Sequence, residues 1–434
     1  MRDLLGGKGA GLAEMIRLGL RVPPGFTITT EACRHVMKSG DVPEGLWDEV
    51  DKAIARLEDE SGRKLGVGPV PLLVSVRSGA KFSMPGMMDT ILNLGINDEV
   101  VGLLTQWSGD SHFAWDAYRR FVQMYGEVVL GVPEQAFQEV LTDLRAVRGV
   151  EDDFALTSED LAHATTRFKQ IVAMAGSPIP ADPKEQLHGA IGAVFSSWKN
   201  RRAIEYRRLN DIPDDIGTAA NVQMMVFGDL GETSGTGVCF TRDPATGEEG
   251  LYGEFLANAQ GEDVVAGIRT PEPLDRMREQ LPQAFEQLLD TMARLERHYR
   301  DVQDIEFTVE EGRLYLLQTR SAKRTAAAAL KAAVHMVGEG LITREEAVAR
   351  IDPGQLDQLL HPMLDPAAEY EIVAKGLNAS PGAASGAIVF DAETAERRGK
   401  AGERVILVRW ETTPDDYGGM RMAAGILTAH GGLT

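Results

Sequence analysis

Residues 303–320 read Gln-Asp-Ile-Glu-Phe-Thr-Val, then Glu-Glu-Gly, then Arg-Leu-Tyr-Leu-Leu-Gln-Thr-Arg. Two short β-rich runs meeting at Glu311-Gly312 predict a hairpin. Side chains alternate across a strand, so Asp304 and Glu306 share one face, and Gln318 and Arg320 share one face of the partner. Mg²⁺ is commonly held by one or two carboxylates together with substrate phosphates. An acidic pair facing an amide and a guanidinium suits a metal-bridged triphosphate. The alternative, an edge hairpin with solvated charges, is weakened because those charges are interleaved with Ile305, Phe307, Leu314 and Leu316.

Three glycine-bearing segments lie upstream. Gly6-Gly-Lys8-Gly-Ala-Gly11 precedes an amphipathic run, so a helix start could present N–H groups to a phosphate while Lys8 adds charge. Its spacing matches neither the P-loop nor G-x-G-x-x-G, and alone it is equally well turn chemistry. Val74-Ser-Val-Arg77-Ser-Gly-Ala-Lys81, then Ser83-Met-Pro-Gly-Met-Met-Asp-Thr90, puts an arginine at a strand end before a glycine loop, where it can fork onto phosphate. A lone arginine is more often in a surface ion pair. Gly231-Glu-Thr-Ser-Gly-Thr236-Gly237 predicts a mobile loop able to fold over phosphates, although a hairpin turn is the commoner fate of such a run.

Around these motifs, strands are expected at 22–29, 72–77, 221–227, 236–241, 250–256, 304–309 and 313–318. Helical periodicity covers 43–60, 98–130, 133–148, 158–175 and 184–209. Segregated strands and helices predict an α+β chain. The alanine-rich run from Thr325 opens a helical connector, and a glycine-rich, strand-rich segment begins at Gly376. With 434 residues, 43% apolar and 25% charged, the chain has the composition of a soluble globular protein of about three domains. A net charge of −20 argues against a nucleic-acid binder but not against ATP, which needs only local cations. Cys33 and Cys239 form no metal-type cluster or disulfide framework, no apolar run approaches a membrane span, and the N-terminus lacks a signal-peptide core. A reduced, cytoplasmic location is expected.

In this order the four motifs resemble the ATP-grasp part of the pyruvate, phosphate dikinase family. Supporting stretches are Tyr118-Arg-Arg-Phe-Val-Gln-Met-Tyr-Gly126, Gln223-Met-Met-Val-Phe-Gly228, the long run Gly253–Pro271, and Ala379-Ser-Pro-Gly-Ala-Ala-Ser-Gly386. The resemblance implies an ATP-grasp fold of two subdomains clamping a nucleotide, at 1–215 (with a helical insertion) and 216–340. A connector at 341–375 and a partial swivelling β/β/α phosphohistidine domain at 376–434 would follow. It implies that ATP, phosphate and pyruvate become AMP, pyrophosphate and phosphoenolpyruvate through a phosphohistidine. Lys8, Arg77 and Arg320 would hold phosphates, joined by Arg120 or its neighbour Arg119, with Arg77 and Arg320 catalytic. Asp304, Glu306 and Gln318 would bind Mg²⁺ or orient the nucleotide, and Thr236 and Gly237 would sit in the covering loop.

The family's phosphohistidine lies in a Thr-x-x-Gly-Gly-x-Thr-Ser-His run. Here Thr428-Ala-His430-Gly-Gly-Leu-Thr434 places that histidine two residues beyond Thr434, with His430 in a variable slot. The resemblance further implies a pyruvate- and phosphoenolpyruvate-binding barrel, which residues 1–434 are not expected to contain. The chain by itself is therefore expected to bind Mg-ATP without completing the cycle. Phosphoenolpyruvate synthase, other dikinases and a non-catalytic nucleotide-binding module are the alternatives. The Gly253–Pro271 and Ser83–Thr90 stretches favour the phosphate-dependent family. No nucleic-acid or membrane partner is expected, and oligomeric state stays open.

Overall fold

Three sheets organise the chain in a computed structural model, which describes all residues except 85, 177, 266–268, 357–370, 378, 380–381 and 431–434. The chain divides into two compact units, Met1–Val226 and Phe227–Thr434.

In the first unit, strands β1 (Gly25–Ile28), β2 (Val74–Ala80), β3 (Thr90–Leu94) and β4 (Thr218–Met224) form an antiparallel sheet in the order β1-β4-β2-β3. The last strand in sequence is thus central, pairing with β1 on one side and β2 on the other. Both central strands are buried along nearly their whole length and read as near-continuous apolar or small residues. Among the described residues, six α-helices lie between Val100 and Leu209, where a mostly helical insertion was expected. Two of the expected helical runs are each broken in two. Gly109, left-handed at φ 71°, ends the Val100–Ser108 helix, and the Asp110 carboxylate then accepts the His112 and Phe113 N–H groups to start Ser111–Val128. At 198–200 the backbone turns extended at Asn200 before the Arg201–Leu209 helix. Strand β3 was not among the expected strands; it is five residues long and carries Asn93 at φ 57°.

In the second unit, β5 (Gly235–Arg242), β6 (Glu249–Ala257), β7 (Glu272–Pro273), β8 (Gln303–Glu310) and β9 (Arg313–Ser321) form an antiparallel sheet in the order β7-β6-β5-β8-β9. The Pro282–Tyr299 helix packs on it, burying Phe285, Leu288, Met292 and Leu295 at helical spacing. Arg242, 2% exposed at the end of β5, donates to Glu296 of that helix and to Glu339 at the end of the Ala326–Gly338 helix. Of the expected connector, Arg344–Arg350 and Pro353–Leu356 are helical, and 357–370 lies outside the described residues. Strands β10 (Ala387–Val389), β11 (Val405–Arg409) and β12 (Gly425–Thr428) form a separate parallel sheet. Among the described residues, no helix is long and apolar enough to cross a membrane.

Candidate functional site

The expected hairpin at 303–320 forms, turning at Glu311-Gly312. Asp304 lies opposite Arg320, and Glu306 opposite Gln318. Strand alternation puts all four on one face of the second sheet. Arg320 Nε donates to Asp304 Oδ2 at 2.7 Å, and Gln318 Nε2 donates to Glu306 Oε1 at 2.8 Å. Directly after the Glu306–Gln318 pair the register skips Leu317, and Phe307 faces Leu316. Such a bulge re-aims side chains, and bulges gather beside functional sites.

Burial raises the Asp304 carboxyl above its ordinary range. Glu306 adds to this, and the Arg320 guanidinium offsets it only in part. For Arg320 burial works against the charge, but Asp304 and Glu306 outweigh it and hold the guanidinium firmly protonated. Asp304 Oδ1 and Gln318 Oε1 are buried and accept no hydrogen bond from any described residue. Two such oxygens on neighbouring register pairs call for a donor or a cation. The chemistry of the set fits Mg²⁺: hard oxygens, one or two carboxylates, and room for phosphate in the remaining positions. Among the described residues no group of three or more His, Cys, Asp or Glu could hold a metal.

Thr236 and Gly237 were expected in a covering loop. Instead they lie inside β5, both buried, and the glycine-rich loop ends before them. Thr236 Oγ1 donates to the Phe307 carbonyl at 3.1 Å. At Gly237 a Cβ would fall 2.5 Å from the Glu254 carbonyl and 2.6 Å from the Phe307 ring, so close packing of β5 on its neighbours demands glycine there.

In the first unit, the Arg2–Arg17 helix is interrupted at Gly6, with φ 68° and ψ −177°. A Cβ on Gly6 would fall 1.6 Å from the Gly79 carbonyl oxygen, so the glycine run is docked on the end of β2. Lys8 Cβ lies 3.5 Å from where a Cβ on Gly79 would point. Gly79 and Arg77 share a strand face, so Lys8 starts from the face on which Arg77 projects. Two residues missed in the sequence secure Arg77. Gln223 Oε1 accepts from Arg77 Nη2 at 2.6 Å while its amide donates to the Pro23 carbonyl at 2.9 Å. Asn221, opposite Arg77 in register, donates to the Arg77 carbonyl at 3.3 Å and accepts from Thr27 Oγ1 at 2.8 Å. The readable signal was a period-two polar pair, Asn221 and Gln223, interrupting the apolar run of a strand that opens with Thr218. Arg120 and Arg119 both grip Asp116, at 2.7 and 2.6 Å. Although burial opposes it, the two guanidiniums hold the Asp116 carboxyl far below its usual range.

The sequence pattern of the family described as pyruvate phosphate dikinase, AMP/ATP-binding domain, matches residues 2–46, 34–282 and 275–340. That of the PEP-utilising enzyme, mobile domain, matches residues 401–434. The whole chain is 57% identical to pyruvate, phosphate dikinase of Rhizobium meliloti (strain 1021), covering 50% of that protein. It is 55% identical to pyruvate, phosphate dikinase of Clostridium symbiosum, again covering 50%. It is 55% identical to the chloroplastic pyruvate, phosphate dikinase 1 of Oryza sativa subsp. japonica, covering 46%. The chain spans about half the length of the curated relatives it matches.

Proposed function

The chain belongs to the pyruvate phosphate dikinase AMP/ATP-binding domain family, and from that premise we propose that it binds Mg-ATP through an ATP-grasp arrangement, as the nucleotide-handling part of a dikinase acting on pyruvate and phosphate. Lys8, Arg77 and Arg320 contact phosphate oxygens. Asp304, Glu306 and Gln318 hold the metal. The segment matched by the mobile-domain pattern leads into a swivelling phosphohistidine domain.

The observation that carries the reading is the pair of buried, unpartnered oxygens on Asp304 and Gln318 beside the Arg320 guanidinium. When bound, Mg²⁺ would supply positive charge that offsets the negative charge of the phosphates. The protein's own part is positioning. Asp304 orients Arg320, Gln318 orients Glu306, and Gln223 orients Arg77, so each charge is fixed before a nucleotide arrives. Fixed dipoles and charges need no reorganisation as negative charge shifts along the triphosphate. Arg120 is given a secondary role, because its Nε is already held by Asp116, a carboxylate it shares with Arg119. Thr236 and Gly237 are assigned to the framework of the sheet.

Calorimetric titration of Mg-ATP into the 434-residue chain tests the reading. A charge-assisted hydrogen bond contributes about 1.5–3 kcal/mol, so Arg320→Ala is expected to weaken saturable binding by roughly 10- to 150-fold. Absence of binding to the unsubstituted chain, or equal affinity in the variant, would overturn it.

A further inference from the structure

We propose that the Arg201–Leu209 helix is a clamp on the segment between β2 and β3, which makes Arg202 and Asn200 positioning residues for the nucleotide; the nucleotide part of this assignment rests on the Mg-ATP reading above. Both side chains converge on one carboxylate. Asn200 Nδ2 donates to Asp89 Oδ2 at 3.0 Å, and Arg202 Nη2 is ion-paired with Asp89 Oδ1. Arg202 Nε reaches the Met87 carbonyl at 3.3 Å, so a single guanidinium holds two points of the segment. Asp89 is 11% and Arg202 31% exposed, which shields the pair from much of the water that weakens surface ion pairs.

The cap position shows what has been given up for this. Asn200 is the N-cap residue, where an asparagine side chain usually accepts a backbone N–H, yet it makes no cap bond. Asp110, Thr157, Asp182, Thr325 and Thr343 all do cap their helices. The Asp89 carboxylate instead stands at this helix start, where the helix dipole favours an anion. The helix is itself anchored. Arg207, buried and stacked 4.1 Å over Trp198, donates to Asp214 at 2.7 Å and to the Trp198 carbonyl at 2.7 Å. Asp89 immediately precedes Thr90, the register partner of Arg77. The clamp therefore fixes the strand end directly beside a phosphate-binding candidate.

Hydrogen exchange on the nucleotide-free chain and Mg-ATP calorimetry, each on Arg202→Gln, Asp89→Asn and the double variant, test the proposal together. Amides of residues 86–90 should exchange about tenfold faster in either single variant, with β2 and β4 unchanged, as for a local opening. Mg-ATP should bind about tenfold more weakly in each, and the double variant should lose less than the two singles combined, because both remove the Arg202–Asp89 pair. Faster exchange across the whole first unit would mean general destabilisation and overturn the clamp, as would unchanged exchange at 86–90. A local exchange change with undiminished affinity would overturn the nucleotide role alone. If the unsubstituted chain bound no Mg-ATP, the Mg-ATP reading would fall, and exchange would still decide the clamp.

Discussion

Asp304 is held by Arg320 through one oxygen and leaves the other buried without a donor. An isosteric change to asparagine separates metal binding from phosphate binding. Asp304→Asn removes the charge a cation requires and keeps the side chain's volume. The ratio of affinities for ATP with and without Mg²⁺ is expected to fall by about tenfold or more, since one lost interaction of about 1.4 kcal/mol gives that factor. Calorimetry in the presence and absence of the metal reads the ratio directly, and an unchanged ratio would remove Asp304 from the ligand set. Gly237 makes the opposite case, a glycine in a motif whose importance is packing. Gly237→Ala drives a methyl into the Glu254 carbonyl and the Phe307 ring. Overpacking of this kind costs about 1–3 kcal/mol of stability. A loss of that size in denaturant unfolding supports the framework role, whereas full stability with impaired nucleotide binding would return Gly237 to a loop-like one.

The elements are tied together by buried charge as well as by apolar faces. Arg242 joins the end of β5 to two helices through Glu296 and Glu339. Removing one partner of a buried ionic cluster leaves the others uncompensated, so Arg242→Ala is expected to destabilise the second unit by about 3–5 kcal/mol. Urea unfolding checks this, and a loss below about 1 kcal/mol would mean that water replaces the arginine. In the first unit the Ser158–Met174 helix begins with a capping box of Thr157 and Asp160, and Arg148 forks onto the same carboxylate at 2.8 Å. Arg148 above all holds the Asp160 carboxyl down to about 2, from an ordinary 3.8. A depressed carboxyl contributes stability that is complete above its unfolded value and is lost as pH falls through the folded one. The stability gap between the unsubstituted chain and Asp160→Asn should therefore be constant near neutrality and shrink as pH falls from about 4 towards 2. A gap that persisted there would assign the effect to packing.

For the molecule as a whole, net charge and ligand linkage set the expectations. A chain of net charge −20 that binds a polyanion must do so with local cations against its own field. Mg-ATP at about one hundred times its dissociation constant should raise unfolding free energy by about 2.7 kcal/mol through binding to the native state alone. Arg320→Ala, weakened roughly 10- to 150-fold, should lose about 1.3–2.4 kcal/mol of that increment at the same ligand concentration, as read by the shift in thermal midpoint. Persistence of the full shift would place the binding energy elsewhere. The sequence by itself determined the pairing of Asp304 with Glu306 and of Gln318 with Arg320. Alternation along a strand needs no tertiary information once the turn at Glu311-Gly312 is seen. It likewise marked the glycine run at Gly6 and the alanine-rich helix from Thr325, where local conformational preference dominates. Only the tertiary structure decided that β4 sits at the centre of the first sheet, that packing against Glu254 and Phe307 demands glycine at 237, and that Asn221 and Gln223 hold Arg77 while Asn200 and Arg202 hold Asp89. Those facts depend on contacts between segments more than a hundred residues apart in sequence or on cross-strand packing, and neither periodicity nor spacing carries information about either.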